Sequence, residues 1–164
     1  MTEKIYTENI RKILKERKEI SSAFKVKLSS EAKVLIIEGE PEQEVLTLSF
    51  VEAVDMGFPI IVALDLKNED YVFKKISIKS IAQRNNLSQV RARVIGRERK
   101  AMDNFEYLTG CNISLHDNWV GIIGQEEMVR RAEYALKHLI AGSNHSKVYS
   151  YLEKEKAKEK DSFY

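Results

Sequence analysis

A single cysteine, Cys111, excludes an internal disulfide and any cysteine-rich metal site. Two prolines and seven glycines in 164 residues argue against long disordered linkers. No hydrophobic run approaches the roughly 20 residues needed to span a bilayer. The opening MTEKIYTENIRKIL lacks the apolar centre of a secretory leader, so residence inside the cell is expected. His116, His138 and His145 are too scattered to form a metal cluster with one cysteine. A Walker-type glycine loop, a nucleophile motif and an acid cluster with metal spacing are all missing. The pair Glu126-Glu127 is explained as helix N-terminal acids favoured by the dipole. The expectation is a protein that is not an enzyme, with no cofactor, no small-molecule substrate and no membrane partner.

Charge of one sign is concentrated. Hydrophobic residues make up 43% and charged residues 32% of the chain, whose net charge is only +2. Between Lys67 and Lys100, however, ten Lys or Arg face three acids, a local +7 that leaves −5 for the rest. Such a segment in an otherwise acidic chain is the footprint of a polyanion site, although a charge run alone is also compatible with a solvated surface.

The apolar positions Ile5, Ile10, Ile13, Leu14 and Ile20 predict an amphipathic helix from about Thr7. AFKVKL (23–28) and KVLIIEG (33–39) predict an antiparallel strand pair across SSEA. Glu40-Pro41-Glu42 opens a helix with Val45, Leu46, Leu48, Ser49, Ala53 and Met56 inward, ended by Gly57. A short helical segment follows Pro59. Beyond it, 72–81 reads as a strand and 87–95 as a helix capped by Ser88. A helix over 99–109 buries Met102, Phe105 and Leu108. Strands over 111–115 and 119–123 are joined by HDN, and a helix over 125–141 is stopped by Gly142. From residue 70 the order is β-α-α-β-β-α. The front half, α-β-β-α, is the same order with its beginning removed.

Within that order lies RVIGRERKAMDNFEYLTG, a helix ending in Ile-Gly, a two-residue loop and a basic second helix. It resembles the KH domain, whose Gly-x-x-Gly loop sets backbone amides against the phosphates of about four single-stranded nucleotides beside a shallow apolar groove. Here the four residues are Gly96-Arg97-Glu98-Arg99. Arg99 stands where a second glycine belongs. An arginine accepts positive φ poorly, so backbone gripping is expected to weaken while charge attraction persists. Gly96 alone also suits an ordinary helix terminator, but that does not explain the flanking Arg91, Arg93, Arg97, Arg99 and Lys100.

The series SFVEAVDMGF, VFKKISIKSI, RARVIGRERKAMDNFEYLTG and IIGQEEMVRRAEYALKHLIAGSNHSKVY narrows the resemblance. Together with the closing Ser146-Lys147-Val148-Tyr149, it is similar to the KH-type small-subunit ribosome assembly factors called partner of Nob, or Dim-two. That resemblance implies an α+β fold of two KH-like units side by side. The first, 1–69, would be a degenerate α-β-β-α unit without a nucleotide loop, the second, 70–142, a type I KH domain, and 143–164 a tail. It implies binding to the 3′ region of small-subunit pre-rRNA, where the protein recruits or restrains a PIN-domain endonuclease among other assembly factors. Location would be nuclear and nucleolar with passage to the cytoplasm, or cytoplasmic in an archaeon.

On this reading Arg93, Arg97 and Lys100 contact phosphate, with Arg91, Arg99 and Gly96 beside them. Ile95 lines the base groove or serves the core, and Asn104 reaches a base or sugar. Lys79, with Lys75, extends the basic surface from the strand. Trp119 is expected to pack in the sheet rather than stack a base, and Cys111 to be a small core residue. The charged tail KEKAKEKD reads as a solvated helix end, while Tyr149, Tyr151, Phe163 and Tyr164 make it a possible anchor. Two rivals stay open: an adaptor whose KH fold has lost RNA, and a general KH RNA-binding protein.

Overall fold

The computed structural model describes residues 1–82 and 86–161. Arg84 of the basic segment and the terminal Phe163 and Tyr164 lie outside the described residues. The chain folds as two compact units, Met1–Tyr71 and Val72–Tyr164. The α+β class expected from the sequence holds, with one three-stranded sheet in each unit.

The first unit runs β1 (Thr2–Tyr6), α1 (Ile10–Lys15), α2 (Arg17–Phe24), β2 (Lys27–Glu31), β3 (Val34–Glu38), α3 (Pro41–Asp55) and α4 (Ile60–Ala63), the last continuing into a 3-10 turn at Leu64–Lys67. Its order is β-α-α-β-β-α, so the expected α-β-β-α is corrected: the front is not missing. TEKIY hides the strand because Ile5 is its one aliphatic residue. Backbone pairing to β3, from Thr2↔Glu38 to Tyr6↔Val34, makes it. The sheet order is β1-β3-β2, with the hairpin turning at Ala32 in left-handed conformation. The joint between α1 and α2 is Lys15-Glu16-Arg17 and carries no glycine.

Helix α3 buries Glu44, Thr47, Phe50, Val51, Ala53 and Val54, while Val45 is exposed. Of the expected face, Ala53 and Met56 are buried and Leu46, Leu48 and Ser49 are half-buried, while Val45 is exposed and Glu44 and Thr47 are buried in addition. Glu44 is 1% exposed and accepts the Gly39 N–H at 3.1 Å, which satisfies its oxygen inside the unit. At the other end of α3, Asp55 accepts from Thr7 Oγ1 at 2.6 Å and Asn9 Nδ2 at 2.7 Å, which ties the β1–α1 turn to that helix.

The second unit runs β4 (Tyr71–Ser77), α5 (Ile78–Ile81), α6 (Leu87–Ile95), a 3-10 turn (Arg97–Arg99), α7 (Lys100–Thr109), β5 (Asn112–His116), β6 (Trp119–Gln125), α8 (Glu126–Ala141) and α9 (His145–Asp161). The strand expected over 72–81 stops at Ser77, whose hydroxyl accepts the Ser80 N–H and caps α5. Helix α6 is capped by Asn86, not Ser88: Asn86 Oδ1 accepts the Gln89 N–H, and Ser88 donates to the same oxygen. The sheet order is β4-β6-β5, which leaves β5 at an edge. Beneath it Val94, Phe105, Ile122, Leu136 and Leu139 are fully buried.

The segment expected as a solvated tail is helix α9, packed into this unit. Val148 and Leu152 are buried, and Tyr149 meets Phe105 edge-on with ring centroids 5.5 Å apart. Arg131 of α8 reaches Glu155 at 3.8 Å and Glu159 at 3.3 Å across the helix pair. KEKAKEKD is the expected helix end, mostly exposed, and the buried apolar contacts of α9 lie toward its start. No described helix is long and apolar enough to cross a membrane.

Candidate nucleic-acid interface

The end of α6, the turn after it, α7 and the edge strand β5 enclose an open groove of about 330 Å³. Ile95, Arg99, Met102, Ile113, Ser114 and Leu115 line it. Ile95 is half-buried at its wall.

Gly96 closes α6 at φ +75°, where a side chain is disfavoured. A Cβ there would lie 2.6 Å from the Ala101 nitrogen and 2.7 Å from its Cβ, so glycine is what lets α6 and α7 meet this closely. Glu98 and Arg99 both take left-handed conformations, φ 54° and 64°. The turn thus adopts, at the position of the missing glycine, a backbone shape that glycine would take more cheaply. Two such residues cost about 1–2 kcal/mol each.

Arg99 has a compensation. Its guanidinium is bonded to Asp103 and, at 2.7 Å, to Glu106 Oε1, and it donates to the Ile113 carbonyl at 3.4 Å. The Glu106 hydrogen bond, foremost, raises its pKa further, with burial opposing. The expectation that its charge stays available is corrected: two carboxylates already match it. These partners recur at i+4 and i+7 from Arg99, the one signal by which the sequence could have revealed them.

Arg97 and Lys100 differ. Both are exposed, and neither side chain has an ion-pair or hydrogen-bond partner among the described residues. Lys100 also sits in the first turn of α7, where the helix dipole disfavours a cation. That placement favours an anion bound from outside, which the amides of the α7 N-terminus would also attract.

Other expected contacts lie elsewhere. Arg93 donates to the Ser143 carbonyl at 2.7 Å, and its own carbonyl meets His145 Nε2 at 2.9 Å, so it joins α6 to the α8–α9 connection. Arg91 reaches the Asp117 carbonyl at 3.5 Å. Asn104 is half-buried about 160° round α7 from Glu106, on the side away from the groove. Lys79 is exposed on α5, not on a strand. Trp119 is 40% exposed at the start of β6 with Lys75 Nζ 4.4 Å from its ring centroid, contrary to the expected packing inside the sheet. Cys111 is 3% exposed, and burial pushes its thiol up to about 11, which leaves it an inert core residue.

Residues 72–157, just over half of the chain, match the family of second KH domains of Pno1 proteins, described as a eukaryotic type KH domain (KH-domain type I). A KH domain-containing protein of Methanocaldococcus jannaschii is 33% identical over 139 residues, covering 82% of this chain and 61% of its own. The pre-rRNA-processing protein pno1 of Aspergillus oryzae is 30% identical over 118 residues, covering 70% of this chain and 45% of its own. The chain therefore spans about three fifths or less of these relatives. The crystal structure of a complex of a/eIF2alpha, aDim2p and rRNA from Pyrococcus horikoshii contains a chain of the same fold. Its TM-score is 0.84 at 27% identity, covering 96% of this chain and 95% of that one. The chain belongs to the Pno1/Dim2 family of KH-domain proteins.

Proposed function

We propose that the chain binds single-stranded RNA across the groove beside Gly96 and acts in this way on small-subunit precursor rRNA during ribosome assembly. The observation that carries the reading is a pair of exposed cations, Arg97 and Lys100, whose side chains have no partner among the described residues and which flank a turn whose Arg99 lines a groove with apolar walls. Charge draws in the phosphates, and Ile95, Met102 and Leu115 offer bases an apolar surface. The rRNA in the archaeal complex and the name of the fungal relative supply the substrate class.

On this reading the protein performs no catalytic step. The first unit, with Lys15-Glu16-Arg17 where a loop would be, serves as a protein-facing scaffold. Its partners would be other assembly factors, among them a PIN-domain endonuclease that the bound protein positions or restrains at the rRNA 3′ end. Location follows the precursor, nuclear and nucleolar with passage to the cytoplasm, or cytoplasmic in an archaeon.

The test is crosslinking within small-subunit precursors with both nucleotide and peptide mapped. Crosslinks from the peptide 93–100 to the rRNA 3′ region are expected. Crosslinks only from other surfaces would give the lead to the adaptor reading, which the internal neutralisation of Arg99 favours.

A further inference from the structure

The groove wall is an edge strand, and an edge strand presents unpaired N–H and C=O groups to whatever lies beside it. At Ile113 those groups face away from β6, and they are not open. The Ile113 N–H donates to Glu106 Oε2 at 3.2 Å, and its carbonyl accepts from Arg99 Nη2 at 3.4 Å. Glu106 Oε1 and Arg99 Nη1 are themselves 2.7 Å apart. Strand peptide, carboxylate and guanidinium thus form one closed ring along the edge strand that walls the groove.

A nucleobase edge would need those same two groups. It offers an acceptor beside a donor, as the Glu106–Arg99 pair does, and reads sequence by such paired hydrogen bonds. We propose that Arg99 and Glu106 are specificity-determining residues: they occupy from within the chain the donor–acceptor edge where a base would be read. RNA then binds this groove by charge and stacking surface, without base selection at Ile113. The inference rests on the RNA-binding reading of the groove and adds to it which contact is withheld.

The geometry also accounts for the unusual turn. A glycine in place of Arg99 would relieve the left-handed backbone but would leave the Ile113 carbonyl uncovered and Glu106 without its counter-charge. Leu115, two residues along the same strand, also lines the groove. By the alternation of a strand its peptide faces the same way, and neither Arg99 nor Glu106 is bonded to it. Closure is therefore local to one peptide, so one base position should be affected.

The test is selection of the full-length protein against a randomised single-stranded RNA pool, with sequencing of the retained fraction. The wild type is compared with Glu106→Ala, and Arg97→Glu/Lys100→Glu is the control. Glu106→Ala is expected to gain a preference of about fivefold or more at one nucleotide position, from hydrogen bonds newly available to a base. Arg99→Gly opens the same peptide from the carbonyl side and carries the same expectation if Glu106→Ala does not fold. Retention by Glu106→Ala but not by the wild type would overturn the inference as stated, because the wild type is held to bind by charge. Identical profiles for wild type and both variants, with retention lost in the control, overturn the inference and leave the RNA reading standing. No retention by any of the proteins overturns both.

Discussion

Neutralising Arg97 and Lys100 together, by substitution to alanine, should flatten the salt dependence of RNA binding in a calculable way. Each side chain is exposed and free of internal partners among the described residues, so its removal changes little inside the fold. Each phosphate contact on a single strand contributes about 0.7 to the slope of log affinity against log salt. Losing two should make the slope shallower by about 1.4. From roughly 50 to 200 mM salt, those two contacts account for about a sevenfold share of the affinity fall. The wild-type advantage over the double variant should shrink by that factor across the range. Fluorescence anisotropy with a labelled single-stranded RNA, titrated at several potassium chloride concentrations, reads both slopes directly. Parallel lines for wild type and variant would refute the assignment of these cations to phosphate, whatever the absolute affinities.

Arg93→Ala should leave that slope unchanged and cost about 1.5–3 kcal/mol of stability in denaturant unfolding, since the lost hydrogen bond is a charged one to the Ser143 carbonyl. Gly96→Ala should cost roughly 2–5 kcal/mol, the positive φ and the contact 2.6 Å from Ala101 acting together, and it should weaken RNA binding with stability. Cys111 should resist alkylation in the native state and react only on unfolding. Its ordinary value of 9.0 is raised to about 11 by burial, so in the unfolded chain the thiol ionises first. Its contribution is whole below pH 9 and is lost as pH climbs toward 11, by roughly 2–3 kcal/mol at the end. Unfolding curves of wild type and Cys111→Ala should converge across that window.

Much of the second unit was legible in the sequence because its elements are long, periodic and punctuated. Leu87 to Ile95 is the helix that the apolar spacing predicted, Gly142 ends α8, and the hairpin turns at Asp117-Asn118. Where the sequence misled, a residue's partner lay far along the chain. TEKIY reads as nothing until β3 supplies its hydrogen bonds. Glu44 looks like surface until the Gly39 N–H takes its carboxylate inside.

The basic residues divide along the same line. The sequence by itself determined that positive charge gathers around an Ile-Gly turn between two helices, and that the first unit has no such turn. Composition and glycine placement are local properties, and they survive without a fold. Only the tertiary structure decided which cations remain for a ligand. Arg93 bonds to a carbonyl fifty residues away and Arg99 closes on Glu106 and Ile113, while Arg97 and Lys100 face solvent. A charge is available only when no internal carboxylate or carbonyl lies within hydrogen-bond reach, and that distance is set by packing, not by spacing along the chain.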